Sequence, residues 1–213
     1  MTRIIAGSAR GRRLAVPASG TRPTSDRVRE ALFSTVESDL AGTGRSWPQM
    51  RVLDLFSGSG ALGLESLSRG AASVVLVEKS RSCAKVVSAN ASVVGLDGAQ
   101  IVIRDAWQVA ELVPPDGGAT LCFADPPYDW AAADLRRLLT GLADSGWLAR
   151  DAMVVIERPA KDPASPFPDT WGEPRRRPYG DTVLWYGQAM PDRTRDPHGS
   201  WDDEGVESAK EAP

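Results

Sequence analysis

The sequence predicts an α/β fold: a mostly parallel central sheet of seven strands with helices on both faces, an antiparallel edge strand, and an N-terminal β-hairpin plus helix. Three observations carry this. From residue 51 to residue 157, short apolar runs alternate with stretches of helical spacing, the pattern of repeated strand–helix units in a parallel sheet. The first run, Arg51-Val-Leu-Asp-Leu-Phe56, passes directly into Ser57-Gly58-Ser59-Gly60-Ala61-Leu62-Gly63 and a helix. A strand, a glycine turn and a helix in that order form the ligand edge of such a sheet. The last run, ending near Tyr186, follows no helix, so it pairs antiparallel with a neighbour around 171–177 at the sheet edge.

Taken in order, Arg3-Ile-Ile-Ala and Arg12-Arg-Leu-Ala-Val16 flank a glycine-bearing loop and read as a hairpin. Residues 17–23 are a linker. Thr24 is the expected N-cap of a helix over 25–40, with Asp26 in its first turn and Val28, Ala31, Leu32, Val36 and Leu40 on one face. Strand 51–56 leads to helix 61–69, strand 72–78 to helix 80–94, and strand 100–104 to a short helix holding Trp107 and Leu112. Strand 120–124, helix 131–143 and strand 152–157 complete the alternation. Residues 190–213 are polar and rich in Pro, Asp and Glu, and are expected to be a disordered acidic tail.

Composition narrows the function classes. At 213 residues the chain is one domain plus appendages, and no apolar stretch approaches the roughly 20 residues of a membrane span. The N-terminus lacks a signal-peptide core. Cys83 and Cys122 have no CxxC spacing, which suggests a reducing cytoplasm without disulfides or a zinc cluster. The single histidine, His198, lies in the polar tail, which argues against histidine-based catalysis and histidine-rich metal sites. Residues 1–30 carry seven arginines against two acids, on a chain of net charge −3. A basic head on a mildly acidic chain points to a polyanion partner. Arg3, Arg10, Arg12, Arg13 and Arg22 are the candidate phosphate contacts, the hairpin presenting its donors on a flexible turn.

Two motifs carry chemistry. Gly58-x-Gly60-x-x-Gly63, with Glu78 ending the next apolar run, matches a nucleoside-binding turn with its ribose-binding acid. It does not say which nucleoside binds. After the fourth strand comes Asp125-Pro126-Pro127-Tyr128. Two prolines fix two successive φ angles and bring no N–H, so this rigid turn presents an acid, a backbone carbonyl and an aromatic ring. Those groups suit methylation of an exocyclic base amine. Asp125 and the Pro126 carbonyl would accept its two hydrogens, and Tyr128 would stack on the base.

The pair Asp54-Leu-Phe-Ser-Gly-Ser-Gly-Ala-Leu-Gly-Leu-Glu65 and Asp125-Pro-Pro-Tyr128 resembles the class I S-adenosylmethionine-dependent amino-methyltransferases, of Rossmann-like fold. Arg3-Ile-Ile-Ala-Gly7, Arg22-Pro-Thr-Ser-Asp-Arg-Val-Arg-Glu-Ala-Leu-Phe33 and Tyr179-Gly-Asp-Thr182 narrow this to a resemblance to the bacterial RsmD family, which methylates guanine 966 of 16S RNA on N2. The resemblance spans residues 3–188. It implies S-adenosyl-L-methionine as cofactor and 16S rRNA or the small ribosomal subunit as partner, in a cytoplasmic, membrane-free monomer. It implies a basic extension over 1–40, a cofactor-binding methyltransferase domain over 41–189 and a tail over 190–213. Asp54, Phe56, Ser57, Gly58, Ser59 and Gly60 would hold the methionine part of the cofactor. Glu78, beside Lys79, would bind the ribose, and Asp105 with Ala106 would read the adenine. Thr24 and Arg27 would belong to the element that closes over it, and Asp125 would touch both cofactor and base. Three rivals stand beside this reading. An NAD-dependent oxidoreductase explains the glycines and Glu78 but leaves Asp125-Pro-Pro-Tyr128 without a use. Methylation of adenine N6 or of a glutamine amide keeps the chemistry, although many such enzymes carry Asn where this chain has Asp125. A catalytically idle binding module would not need both motifs intact.

Overall fold

A computed structural model describes residues 2–17 and 25–190. The elements are β1 (Thr2–Arg3), β2 (Arg13–Leu14), α1 (Asp26–Gly42), β3 (Arg51–Leu55), α2 (Ala61–Ser68), β4 (Ser73–Val77), α3 (Arg81–Val94), β5 (Ala99–Val102), β6 (Ala119–Ala124), α4 (Ala132–Asp144), β7 (Leu148–Pro159), β8 (Arg175–Tyr179) and β9 (Thr182–Gln188). Three short 3-10 turns, Trp47–Gln49, Ala106–Glu111 and Asp169–Trp171, join them. β3 to β9 form one seven-stranded sheet in the order β5-β4-β3-β6-β7-β9-β8. The first five of these are parallel, and β9 runs antiparallel to both neighbours. Chain order reverses between β3 and β6, and a ligand crevice opens at the carboxyl ends of strands at such a reversal.

Strand alternation builds two cores. Leu53, Val75, Cys122, Val154 and Val183 face α4, while Val52, Leu76, Phe123, Val155 and Leu184 face α1, α2 and α3. The two-residue side-chain period places Asp54 on the second face, and carries Glu78, Asp125 and Glu157 to that face at the strand ends. Helix α1 covers this face through Leu32, Phe33 and Val36, with the Phe33 and Phe123 rings 5.7 Å apart. The N-terminal extension therefore shares one core with the sheet.

Several elements differ from expectation. β7 is twelve residues long, because a register shift opposite Ala119 and a positive φ at Asp151 let the strand continue through a bulge. β8 starts at Arg175, after Gly172 and Pro174, and its Pro178 is tolerated because β8 is the outer strand. The N-cap of α1 is Ser25, whose hydroxyl accepts from the Val28 N–H at 3.3 Å. The expected cap Thr24, Arg22 and the tail from residue 191 lie outside the described residues.

The hairpin is not the flexible turn its glycines suggest. The N–H groups of Ile5 and Ala6 donate to the two carboxylate oxygens of Glu65 in α2, at 2.6 and 2.9 Å. Ser8 N–H donates to the Ser68 carbonyl at 2.8 Å. Gly7 lies against that carbonyl so closely that a Cβ would meet its oxygen at 1.8 Å, so no side chain fits there. A second bracket joins the hairpin exit to the glycine turn. Asn90 accepts from Ala15 N–H at 2.8 Å, and its amide donates to the carbonyls of Ala15 and Ser59 at 2.9 and 2.8 Å.

Candidate active site

A cavity of about 200 Å3 opens at the carboxyl ends of β3, β4 and β6. Asp54, Phe56, Ser57, Gly58, Ser59, Glu78, Lys79, Ala106 and Asp125 line it, and Pro127 closes one side. These nine are among the sequence-predicted residues, brought together from four separate loops, whereas Pro126 and Tyr128 of the same Asp-Pro-Pro-Tyr loop do not line it. Gly60 donates its N–H to the Ser57 carbonyl at 2.6 Å and caps α2, inside the turn rather than on the cavity surface. Gly63 is the residue that lets α2 lie close to the sheet. A Cβ there would meet Leu76 and Val74 at 2.7 Å, and its N–H reaches Asp54 at 2.9 Å.

Glu78 and Asp54 are placed by backbone donors. Glu78 is buried, one carboxylate oxygen accepting from Gly58 N–H at 3.0 Å and the other from Ser80 N–H at 2.8 Å. Each oxygen keeps a lone pair for a ligand hydroxyl. Asp54 is buried, and loss of water raises its pKa to about 7, opposed by the Gly63 N–H and reinforced by the charge of Glu78. The Asp125 carboxyl is pushed well above the usual range, first by desolvation, then by the charges of Glu157 and Asp54. Burial and mutual repulsion thus favour the protonated forms of Asp54 and Asp125, and a cation beside them would reverse that preference.

The rim is aromatic. Phe56, held at a positive φ of 62°, sets its ring against Trp130 edge-on at 4.9 Å. Trp130 stacks on Trp107 at 5.1 Å, and the Arg137 guanidinium sits over Trp107 at 5.6 Å. The buried Arg158 donates to the Trp130 carbonyl at 2.6 Å and pairs with Asp162 at the same distance, so it ties the Asp-Pro-Pro-Tyr loop to β7. Tyr128, on the same loop as Asp125, is 67% exposed.

Other predicted residues stand elsewhere. Asp105 caps the 3-10 turn by accepting from Trp107 N–H at 3.1 Å and lines a shallow neighbouring depression, while Ala106 reaches the main cavity. Arg27 is exposed and does not line the cavity; Arg29, two positions on, is 1% exposed and does. Helical spacing was the available signal, since Arg29 stands three and four residues before the buried Leu32 and Phe33. Thr2, Val16, Pro17 and Cys83 also line the cavity and were missed, because only the hairpin brackets bring the first three there. Of the basic head, Arg12 donates to the carbonyls of Val93 and Val94 at the end of α3, so it is a helix C-cap rather than a free phosphate contact. Arg3 pairs with Asp26 at 3.5 Å, and Arg10 and Arg13 are exposed.

Known proteins share both this fold and much of this sequence. The family described as "Conserved hypothetical protein 95" matches residues 2–188. Ribosomal RNA small subunit methyltransferase D of Escherichia coli K12 is 35% identical over 183 residues, covering 85% of this chain and 86% of that protein. The protein of the same name from Haemophilus influenzae is 33% identical over 172 residues, covering 79% and 84%. Among solved structures, the E. coli protein yhhF superposes with a TM-score of 0.73 at 33% identity, covering 90% of this chain and 99% of its own. A hypothetical protein of Thermus thermophilus superposes with a TM-score of 0.68 at 34% identity, covering 87% and 98%. With the family model matching residues 2–188, and with the glycine turn, Glu78 and Asp125 meeting in one cavity, the chain belongs to the RsmD family of methyltransferases.

Proposed function

We propose that this protein transfers the methyl group of S-adenosylmethionine to the exocyclic N2 amine of a guanine in 16S rRNA, at the place corresponding to guanine 966. The observation that supports this reading is the junction of Asp125 and Pro127 with the acid-lined glycine turn in a single cavity. The cofactor supplies an activated methyl on a sulfonium, and carries one further positive charge on its amine. The residues present suit it: Glu78 faces the cavity with both oxygens fixed for two ribose hydroxyls. Asp54 and Asp125 carry raised pKa values that a neighbouring cation would bring down. Ala106 and Phe56 offer apolar surface for a base, and Gly58 and Ser59 bring backbone close to the ligand.

Asp125 and the Pro126 carbonyl accept the two hydrogens of the target amine and hold its lone pair toward the methyl. As positive charge grows on nitrogen, the Asp125 carboxylate stabilises it without reorganising, since the proline turn and the Arg158 tie fix its loop. A raised pKa also makes Asp125 a better acceptor for the proton that the methylated amine releases. Tyr128, exposed on the loop that carries Asp125, would stack on a base flipped out of its helix, a contact worth about 1–3 kcal/mol. Arg10 and Arg13 remain the hairpin arginines available to RNA phosphates. The residues named above all belong to one chain, so we infer that a monomer suffices and that it works in the cytoplasm, where its RNA is. No helix among the described residues is long and apolar enough to cross a membrane.

Transfer of tritiated methyl to 30S subunits from cells lacking the enzyme, followed by mapping of the modified base, tests this directly. Label on guanine N2 supports it; label on an adenine, or only on DNA or protein, overturns it in favour of the neighbouring amino-methylation chemistries.

A further inference from the structure

A further acid stands beside Asp125 at the same sheet edge. Ala124 of β6 pairs with Ile156 of β7, so the next residues along, Asp125 and Glu157, are neighbours across the two strands. The two-residue period sends both side chains to the same face. Glu157 is half-buried, and its Oε1 accepts from the Thr182 hydroxyl at 3.2 Å. Thr182 pairs with Pro159, two residues nearer the carboxyl edge than Glu157, so this bond draws the carboxylate toward that edge. Thr182 also closes the Tyr179-Gly180-Asp181-Thr182 turn between β8 and β9, which the Ala160 N–H fastens to the end of β7 by donating to the Asp181 carbonyl at 2.8 Å. After burial, the charge of Glu157 is the largest influence holding the Asp125 carboxyl high, as expected of two acids side by side.

Strand order gives the two acids different neighbours. β3 and β4 lie on one side of β6, and β7 lies on the other. Asp125 lines the cavity, and no residue of β7 does among the described residues. A cofactor in that cavity leaves the β7 side of Asp125 to the other reactant. A base whose amine meets Asp125 from that side extends over the ends of β6 and β7, where Glu157 stands. Base chemistry says what an acceptor there would read. Adenine, cytosine and guanine all carry an exocyclic amine, but only guanine has a ring N–H beside it. In adenine and cytosine the ring nitrogen next to the amine is a lone-pair acceptor. An ionised carboxylate only accepts, so it matches guanine N1–H and opposes the other two bases. We propose that Glu157 is a specificity-determining residue, accepting the N1–H of the target guanine while Asp125 and the Pro126 carbonyl hold its N2 amine. This deepens the guanine reading above and rests on it. The Thr182 hydroxyl then aims the acid that reads the base as well as joining β7 to β9.

The test begins with the wild-type protein, so that folding of a variant is not at issue. Small subunits are reconstituted with 16S RNA carrying guanosine, 2-aminopurine riboside or 2,6-diaminopurine riboside at the target position. All three offer an N2 amine, and only guanosine offers N1–H. Wild type should methylate guanosine about 10- to 100-fold faster than either analogue, the span of one hydrogen bond to a charged acceptor. Glu157→Ala should slow guanosine by that factor and bring the three targets to similar rates. Glu157→Gln keeps a carbonyl for N1–H and adds a donor for a ring lone pair, so it should keep guanosine active and raise both analogues above their wild-type rates. Affinity for S-adenosylhomocysteine should be unchanged in both variants, because Glu157 does not line the cavity. Equal wild-type rates on the three targets overturn the assignment and leave guanine methylation standing. So does a Glu157→Ala protein that slows all three alike, or one whose cofactor affinity falls in step with its rate, since either marks a structural role. Label on an adenine, with none on the guanosine target, overturns the guanine reading and this inference together.

Discussion

The cavity has two walls made in different ways. The sheet wall carries Asp54 within the β3 ladder, and Glu78 and Asp125 one residue beyond the last paired residues of β4 and β6. The N-terminal wall carries Thr2, Val16, Pro17 and Arg29, and its hairpin part is placed by two side chains, Glu65 and Asn90, that reach across about 60 and 75 residues of sequence. One wall is anionic and its geometry is shared among many backbone hydrogen bonds. The other is cationic and depends on a few brackets. The first wall is therefore the more firmly positioned of the two, and the second depends on its brackets.

Four changes separate the walls, and the largest effect belongs to the sheet. Asp125→Ala should lower single-turnover methyl transfer by at least about 10²–10³, the scale of removing one preorganised stabilising group. Affinity for S-adenosylhomocysteine should change little. A comparable loss of affinity in calorimetry would mean that Asp125 serves the cofactor rather than the amine. Glu65→Ala strikes the other wall. Glu65 is 0% exposed, bonds the N–H groups of Ile5 and Ala6, and pairs with Arg69 at 2.9 Å. Breaking a buried pair costs about 3–5 kcal/mol, so urea denaturation should show a loss of that order. A loss under about 1 kcal/mol would mean the hairpin is held by other contacts.

Glu78→Ala should weaken S-adenosylhomocysteine by roughly tenfold or more, since hydrogen bonds to a charged acceptor contribute about 1.5–3 kcal/mol each. Unchanged affinity would move the ribose site elsewhere. The same wall predicts a pH dependence. Asp54 titrates near pH 7 when folded, well above an unfolded aspartate. Its contribution to stability is therefore fully present below about pH 4 and is lost as pH rises to about 7. A cationic ligand favours the ionised form, so affinity should rise with pH below 7, by up to about tenfold per unit, and level off above it. Asp54→Asn should remove that slope; a slope that survives belongs to Asp125.

The smallest effect lies outside both walls. Replacing Arg10 and Arg13 together by alanine should reduce the slope of log RNA affinity against log salt by roughly 0.7–0.9 per lost phosphate contact. Cofactor affinity should not change. Parallel salt slopes for wild type and variant would turn attention to the exposed arginines of β8. Arg12 is left out of this comparison, because its removal would uncap α3.

Read from the sequence alone, the parallel sheet, the glycine turn, the acid that follows β4 and the Asp-Pro-Pro-Tyr loop were all legible. Each is a local pattern: strand periodicity, glycine spacing, a pair of prolines. What is local in sequence there stays local in space, because strand ends of a parallel sheet converge on one edge. The tertiary structure decided the rest. Arg12 and Arg29 look alike as letters in a basic head, yet one caps a distant helix and the other is buried on the cavity wall. Trp107 and Trp130 give no sign in the sequence that they stack behind Phe56. An arginine's role depends on which carbonyls and carboxylates surround it. Those neighbours come from chain tens of residues away, brought there by packing that no single stretch encodes.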